Sequence, residues 1–169
     1  MYAGHAALAT LAKGRRPRIP IALLVPVAFA PDWIEWFADA CGWHDRALSH
    51  SLVSVGIGAT LVALIYWAAR GNAGDAFVVW LTYASHWPAD FITGIKPTWP
   101  GGPDVGLLLY AHPLADVVVE CVLIVLCWLY YRRSLPDVSR RRAIVWLVPL
   151  GLIAMQIAYG AVSDPGLLR

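Results

Sequence analysis

Two short spacings carry the chemistry of this chain. His86 and Asp90 stand four residues apart, as do His112 and Asp116, and Glu120 lies one further step of four along. On a helix that spacing puts each set on one face. Imidazole nitrogen with carboxylate oxygen is the donor set of hydrolytic zinc, and two donors a turn apart let one rigid helix fix two corners of a coordination sphere. A single His-x-x-x-Asp is weak evidence for a divalent metal site. Two of them point to one more firmly when Asp32 and His50 join them at the same depth, as argued below.

Composition sets the elements that must position these groups. Of 169 residues 59% are hydrophobic and 14% charged, against about 25% charged for an average soluble domain, and the mean hydropathy is +0.60. A water-soluble domain would leave much of that apolar surface facing solvent, at roughly 25 cal/mol per Å². The reading is therefore all-α, a single polytopic membrane helical bundle over residues 1–169. Nine Trp, seven Tyr and twelve Pro suit it, because aromatic rings settle at membrane interfaces and proline is tolerated where neighbours satisfy the backbone. Five spans are predicted, near 19–38, 51–69, 75–95, 105–131 and 143–162, after an N-terminal helix and basic segment over 1–18. The first span contains Pro20, Pro26 and Pro31 and is expected to kink or break near Pro31. Ala6 to Ala12 precedes the basic cluster Lys13, Arg15, Arg16 and Arg18, the reverse of a signal peptide, so this segment is expected to be retained. Cys41, Cys121 and Cys127 form no CxxC pair and read as free thiols.

With five spans, Lys13 to Arg18, Arg70 and the run Arg132, Arg133, Arg140, Arg141 and Arg142 fall on one side, and only Arg46, Lys96 and Arg169 on the other. The positive-inside rule makes the first side cytoplasmic, in a bacterial inner membrane, with Arg132 to Arg142 an anchor on anionic lipid headgroups. At ~1.5 Å per residue from the cytoplasmic ends, His86, Glu120, Asp32, Asp90 and Asp116 come out about 17 to 24 Å deep, and His50 and His112 near the outer boundary. Ionisable groups inside spans cost about 2.5 to 3.5 kcal/mol each and need partners or a role. The bland alternative is a polar network joining helices. It weakens with each carboxylate, since the only positive charges in the layer are Lys96 and Arg46, and a bound divalent cation supplies the missing charge. Glu120 could equally pair with a neighbouring span or reach the site through water. His44, beside Trp43 and Asp45, reads as a solvated loop histidine.

Gly4-His5, Pro31-Asp32, the segment Asp45 to Ser51, and Tyr83-Ala84-Ser85-His86-Trp87-Pro88-Ala89-Asp90-Phe91-Ile92-Thr93 followed by Trp99-Pro100 resemble the YdjM-type family of membrane-bound metal-dependent hydrolases. That family is grouped with the zinc-dependent phospholipase C and single-strand nuclease superfamily. The resemblance runs from His5 to Pro100 and implies His5, Asp32, His50, His86 and Asp90 as metal ligands, with His112 and Asp116 as a last pair. It implies one metal held by Asp32, His50, His86 and Asp90. The chain departs from the superfamily pattern at Lys96, where a ligand histidine is usual, and Lys96 could replace one cation or hold a substrate phosphate. It has Asp45-Arg46-Ala47 where the family often reads His-Arg-Gly. Soluble relatives use the N-terminal amine as a ligand, and here His5 lies behind Met1.

The function expected is a metal-dependent hydrolase, a phosphodiesterase of phospholipase C type, whose site opens to the outer face. One to three zinc ions are expected, most simply two, lowering the pKa of a coordinated water from 15.7 to around 7. Asp32 would orient or deprotonate that water and Asp90 would bridge; Arg46 and Lys96 would bind an anionic oxygen. The substrate would be a phospholipid or lipid-linked phosphate, with no nucleic acid as partner. The rival is a divalent-metal or proton transporter. It needs polar steps on both sides of the site, and Ser54 to Ala69 and Val122 to Tyr131 are nearly all apolar. A site that is occupied but catalytically idle is a third reading, since Lys96 stands where a ligand is usual.

Overall fold

The structure, a computed structural model, describes residues 3–163, so Met1 and Arg169 lie outside the described residues. Helices α1 (Ala3–Arg15), α2 (Ile21–Ala28), α3 (Ala30–Ala40), α4 (Ala47–His50), α5 (Leu52–Arg70), α6 (Ala73–Ala84), α7 (His86–Thr93), α8 (Pro113–Arg133), α9 (Asp137–Arg140) and α10 (Leu147–Ser163) account for most of it. The all-α reading holds. The described sheet is a two-residue antiparallel ribbon, β1 (Lys96–Pro97) with β2 (Asp104–Val105), in the register Lys96 to Val105.

Leu52–Arg70, Pro113–Arg133 and Ala143–Ala161 are each long and apolar enough to cross a membrane. The bent pair α2 and α3, at 55°, makes a fourth if it counts as one crossing. The break falls at Phe29, where Pro31 has no N–H to return to the Val27 carbonyl. The expected span over 75–95 is instead two helices, α6 and α7, parted at Ser85. Pro88 explains it, because its missing N–H leaves the Ala84 carbonyl without its helical partner. The expected span over 105–131 starts as a helix only at Pro113, after a loop and the 3-10 turn Leu109–Ala111.

Two apolar clusters hold the bundle. Leu24, Val27 and Ala28 of α2, Val55 and Ala59 of α5, and Val78, Val79 and Tyr83 of α6 form the larger. Ala3 and Ala7 of α1 pack with Ile124 and Cys127 of α8 in the smaller, with Leu152 and Ile153 of α10 against them. Close approach of α5 to α6 depends on Gly58, where a Cβ would fall on the Tyr83 phenol ring. On the other side of α5, Ile57, Leu61, Leu64 and Ile65 are exposed, as on a lipid-facing surface. α1 lies inside the bundle, with Ala3, Gly4, His5, Ala7, Ala9 and Thr10 buried. At the basic end, buried Asp75 opens α6 and pairs with Arg18 at 2.5 Å and Arg16 at 3.6 Å. The described cysteines are free thiols, with Cys127 buried.

Candidate metal centre

Three breaks and helix ends bring the polar groups together. Asp32 sits in the first turn of α3, just after the Phe29 break. His50 ends α4 one residue before Ser51, whose hydroxyl caps α5 by accepting from the Ser54 N–H at 3.1 Å. His86 opens α7 and Asp90 follows one turn on. Among the described residues, these four offer ligand atoms that all lie within 4.8 Å of one another. His50, His86 and Asp90 are buried.

Each imidazole has its proton directed away from the centre. The His86 Nδ1 lies 2.9 Å from the Ala28 carbonyl, which can only accept, so Nδ1 carries the hydrogen and Nε2 presents its lone pair inward. The His50 Nδ1 faces the Ser49 hydroxyl at 2.8 Å and the Glu35 carboxylate at 3.4 Å, which leaves Nε2 inward as well. The two Nε2 atoms are 3.1 Å apart. Asp32 Oδ1 lies 3.1 Å from that of His50 and 3.5 Å from that of His86. Asp90 Oδ2 lies 3.7 and 3.4 Å from them. When both rings are neutral, four acceptors converge with no donor among them, an arrangement that repels itself until a cation or extra protons occupy it. A backbone carbonyl and a carboxylate behind ligating imidazoles are the usual outer partners of such sites. The group can hold a metal ion.

Compared with known proteins, the chain matches no family model, no curated protein and no solved structure.

Two further predicted residues join the group. His5 reaches it from the first turn of α1, with Nε2 3.2 Å from Asp90 Oδ1 and its ring stacked on that of His86 at 4.0 Å and 10°. Burial of α1 among the other helices brings His5 to the group. Lys96, on β1, donates to Asp90 Oδ2 at 2.8 Å. A cavity of about 480 Å³ opens onto Asp32, Asp90 and Lys96, with Phe29, Trp33, Trp36, Tyr110 and Tyr159 as aromatic walls.

Other expectations need correction. His112 is exposed at the N-cap of α8 and lies apart from the group. The residue before a proline is driven out of the helical region, and His112 precedes Pro113, so it adopts φ −127° and ψ 76° and cannot share a helix face with Asp116. Asp116 is buried, but it accepts from Gln156 Nε2 at 3.2 Å. Arg46 is largely exposed, is engaged by Glu35 at 2.9 Å, and is not among the residues lining the cavity. Glu120 accepts from the Gly4 N–H at 2.9 Å. His44 is an exposed loop residue beside Asp39 at 3.1 Å, as expected. The sequence reading missed Glu35 as the partner of His50; its signal is the i,i+3 spacing from Asp32, which places both on one face of α3.

Proposed function

We propose that this protein is a membrane-embedded, metal-dependent hydrolase of phosphodiesters carried on lipid, with zinc held by Asp32, His50, His86 and Asp90. The observation that carries the reading is the convergence of two imidazoles and two carboxylates on one point. A divalent ion held there would supply a Lewis acid and a water of lowered pKa at neutral pH. Asp32 would accept the proton of the attacking water; its being the most exposed member of the group and a wall of the cavity supports that role. Lys96 faces the same cavity and can bind an anionic oxygen of the substrate while it compensates Asp90. The aromatic walls formed by Trp33 and Trp36 suit a substrate whose headgroup lies at the membrane interface. The resemblance to the YdjM-type family supports the same reaction class. The inner-membrane location and the orientation, with basic loops cytoplasmic and the cavity outward, rest on the asymmetry of Lys and Arg.

Transport is the weaker reading. Running from the group along α2, α5 and α6, the buried residues Leu24, Val27, Val55, Ala59 and Val79 are apolar, and of the polar groups buried on α6, Asp75 is paired with Arg16 and Arg18 and Thr82 bonds its own helix. The test is metal content by mass spectrometry on detergent-purified protein, with hydrolysis of phosphodiester lipids in mixed micelles. Bound metal, activity lost to a chelator and restored by zinc, and loss of both in His86→Ala support the proposal. No metal after zinc or manganese is supplied overturns it; bound metal that crosses proteoliposomes without any turnover favours transport.

A further inference from the structure

The first N–H groups of a helix have no partner inside that helix. In α1 they are met by side chains from two distant helices. The Gly4 N–H donates to Glu120 Oε2 of α8 at 2.9 Å, and the Ala3 N–H to Gln156 Oε1 of α10 at 3.5 Å. Gln156 Nε2 donates in turn to Asp116 Oδ2 at 3.2 Å, and since a carboxylate only accepts, this sets which end of the amide faces α1. Glu120 and Gln156 are fully buried and Asp116 nearly so. A carboxylate at this end also complements the positive pole of the α1 dipole. The next residue is His5, whose Nε2 faces Asp90 and whose ring lies on His86. A slip of one residue along α1 would move that imidazole by about 1.5 Å and turn it off its face.

We propose that Glu120 and Gln156 are positioning residues for the metal centre. They hold α1 in the register that presents His5 to Asp90, so the centre draws on five side chains. The proposal rests on the metal reading above, and its test separates the two. Cobalt binding is measured on detergent-purified wild type, His5→Ala, Glu120→Leu, Glu120→Gln, Gln156→Leu and the double variant Glu120→Leu with His5→Ala. In parallel, the histidine ring signals of the metal-free, ¹⁵N-histidine-labelled proteins are recorded by NMR.

Loss of an outer partner typically costs 10- to 100-fold in metal affinity, so Glu120→Leu is expected to weaken cobalt binding about 10-fold. Glu120→Gln, which keeps an acceptor for the Gly4 N–H, recovers most of it, and Gln156→Leu shows a smaller loss. In the His5→Ala background Glu120→Leu adds nothing, because its effect passes through that imidazole. Without metal, the His5 ring signals move in Glu120→Leu while those of exposed His44 stay. Equal losses in both backgrounds, or His5 signals that do not move, overturn the proposal. Wild type that binds no cobalt overturns the metal reading itself, and the His5 signals then still decide whether Glu120 sets that ring.

Discussion

Replacing Asp90 by asparagine keeps the shape of the side chain and removes one charge from the centre of the acceptor group. Asp90 is the most connected member: Oδ1 faces His5, and Oδ2 faces His50, His86 and Lys96. The ligand atoms of the group lie within 4.8 Å of one another, so an ion held among them sits about 2 Å from the carboxylate oxygen, and the attraction of unit charges at about 4 Å serves as a lower bound. At an effective dielectric near 20, unit charges about 4 Å apart attract by roughly 4 kcal/mol. A divalent ion feels more, and the amide oxygen returns part of it as a neutral ligand. Taking 4 kcal/mol as the net loss, and about 1.4 kcal/mol per tenfold, Asp90→Asn weakens metal binding about 10³-fold. The variant also leaves the Lys96 ammonium without its carboxylate, which acts in the same direction. The assay is competition between protein and a chelator of known affinity, read by metal mass spectrometry, with thermal unfolding in detergent as a control for folding. A folded Asp90→Asn protein that keeps its metal at wild-type chelator concentrations would refute the charge argument and the centre with it.

Lys96→Met is expected to tighten metal binding about tenfold, since one positive charge leaves the neighbourhood of Asp90, and to raise the KM for an anionic lipid phosphodiester; an unchanged KM would remove Lys96 from substrate binding. Glu35→Ala should weaken metal binding 10- to 100-fold by releasing His50, whereas Arg46→Ala, one contact further out, should cost less; the same chelator competition ranks the two. Gly58→Ala should destabilise the protein by roughly 1 to 3 kcal/mol, because the added methyl falls on the buried Tyr83 ring between α5 and α6. Thermal unfolding in detergent measures it, and a midpoint equal to wild type would show that the two helices can part without cost.

What the sequence settled by itself was local. Hydropathy and charge count establish an apolar all-α chain with helices fit for a membrane, because the hydrocarbon selects residue by residue. Proline marks the expected break at Phe29, because a missing N–H acts on the carbonyl four residues back; Pro88 carries the same signal for Ser85, which the apolar run over 75–95 masked. The pairing of His86 with Asp90 is legible because one turn of one helix contains both. Pro113 already barred His112 from the helix, a local rule that the i,i+4 spacing concealed. Tertiary structure alone decided the rest. Glu35 meets His50 across the turn between α3 and α4, and Glu120 reaches Gly4 from a helix more than a hundred residues away. It also decided that α1, amid the other helices, delivers His5 to Asp90 and that Asp116 turns to Gln156. These contacts depend on how buried helices pack and on which acceptor meets each helix-end N–H, and neither is encoded in the spacing of residues along one strand of sequence.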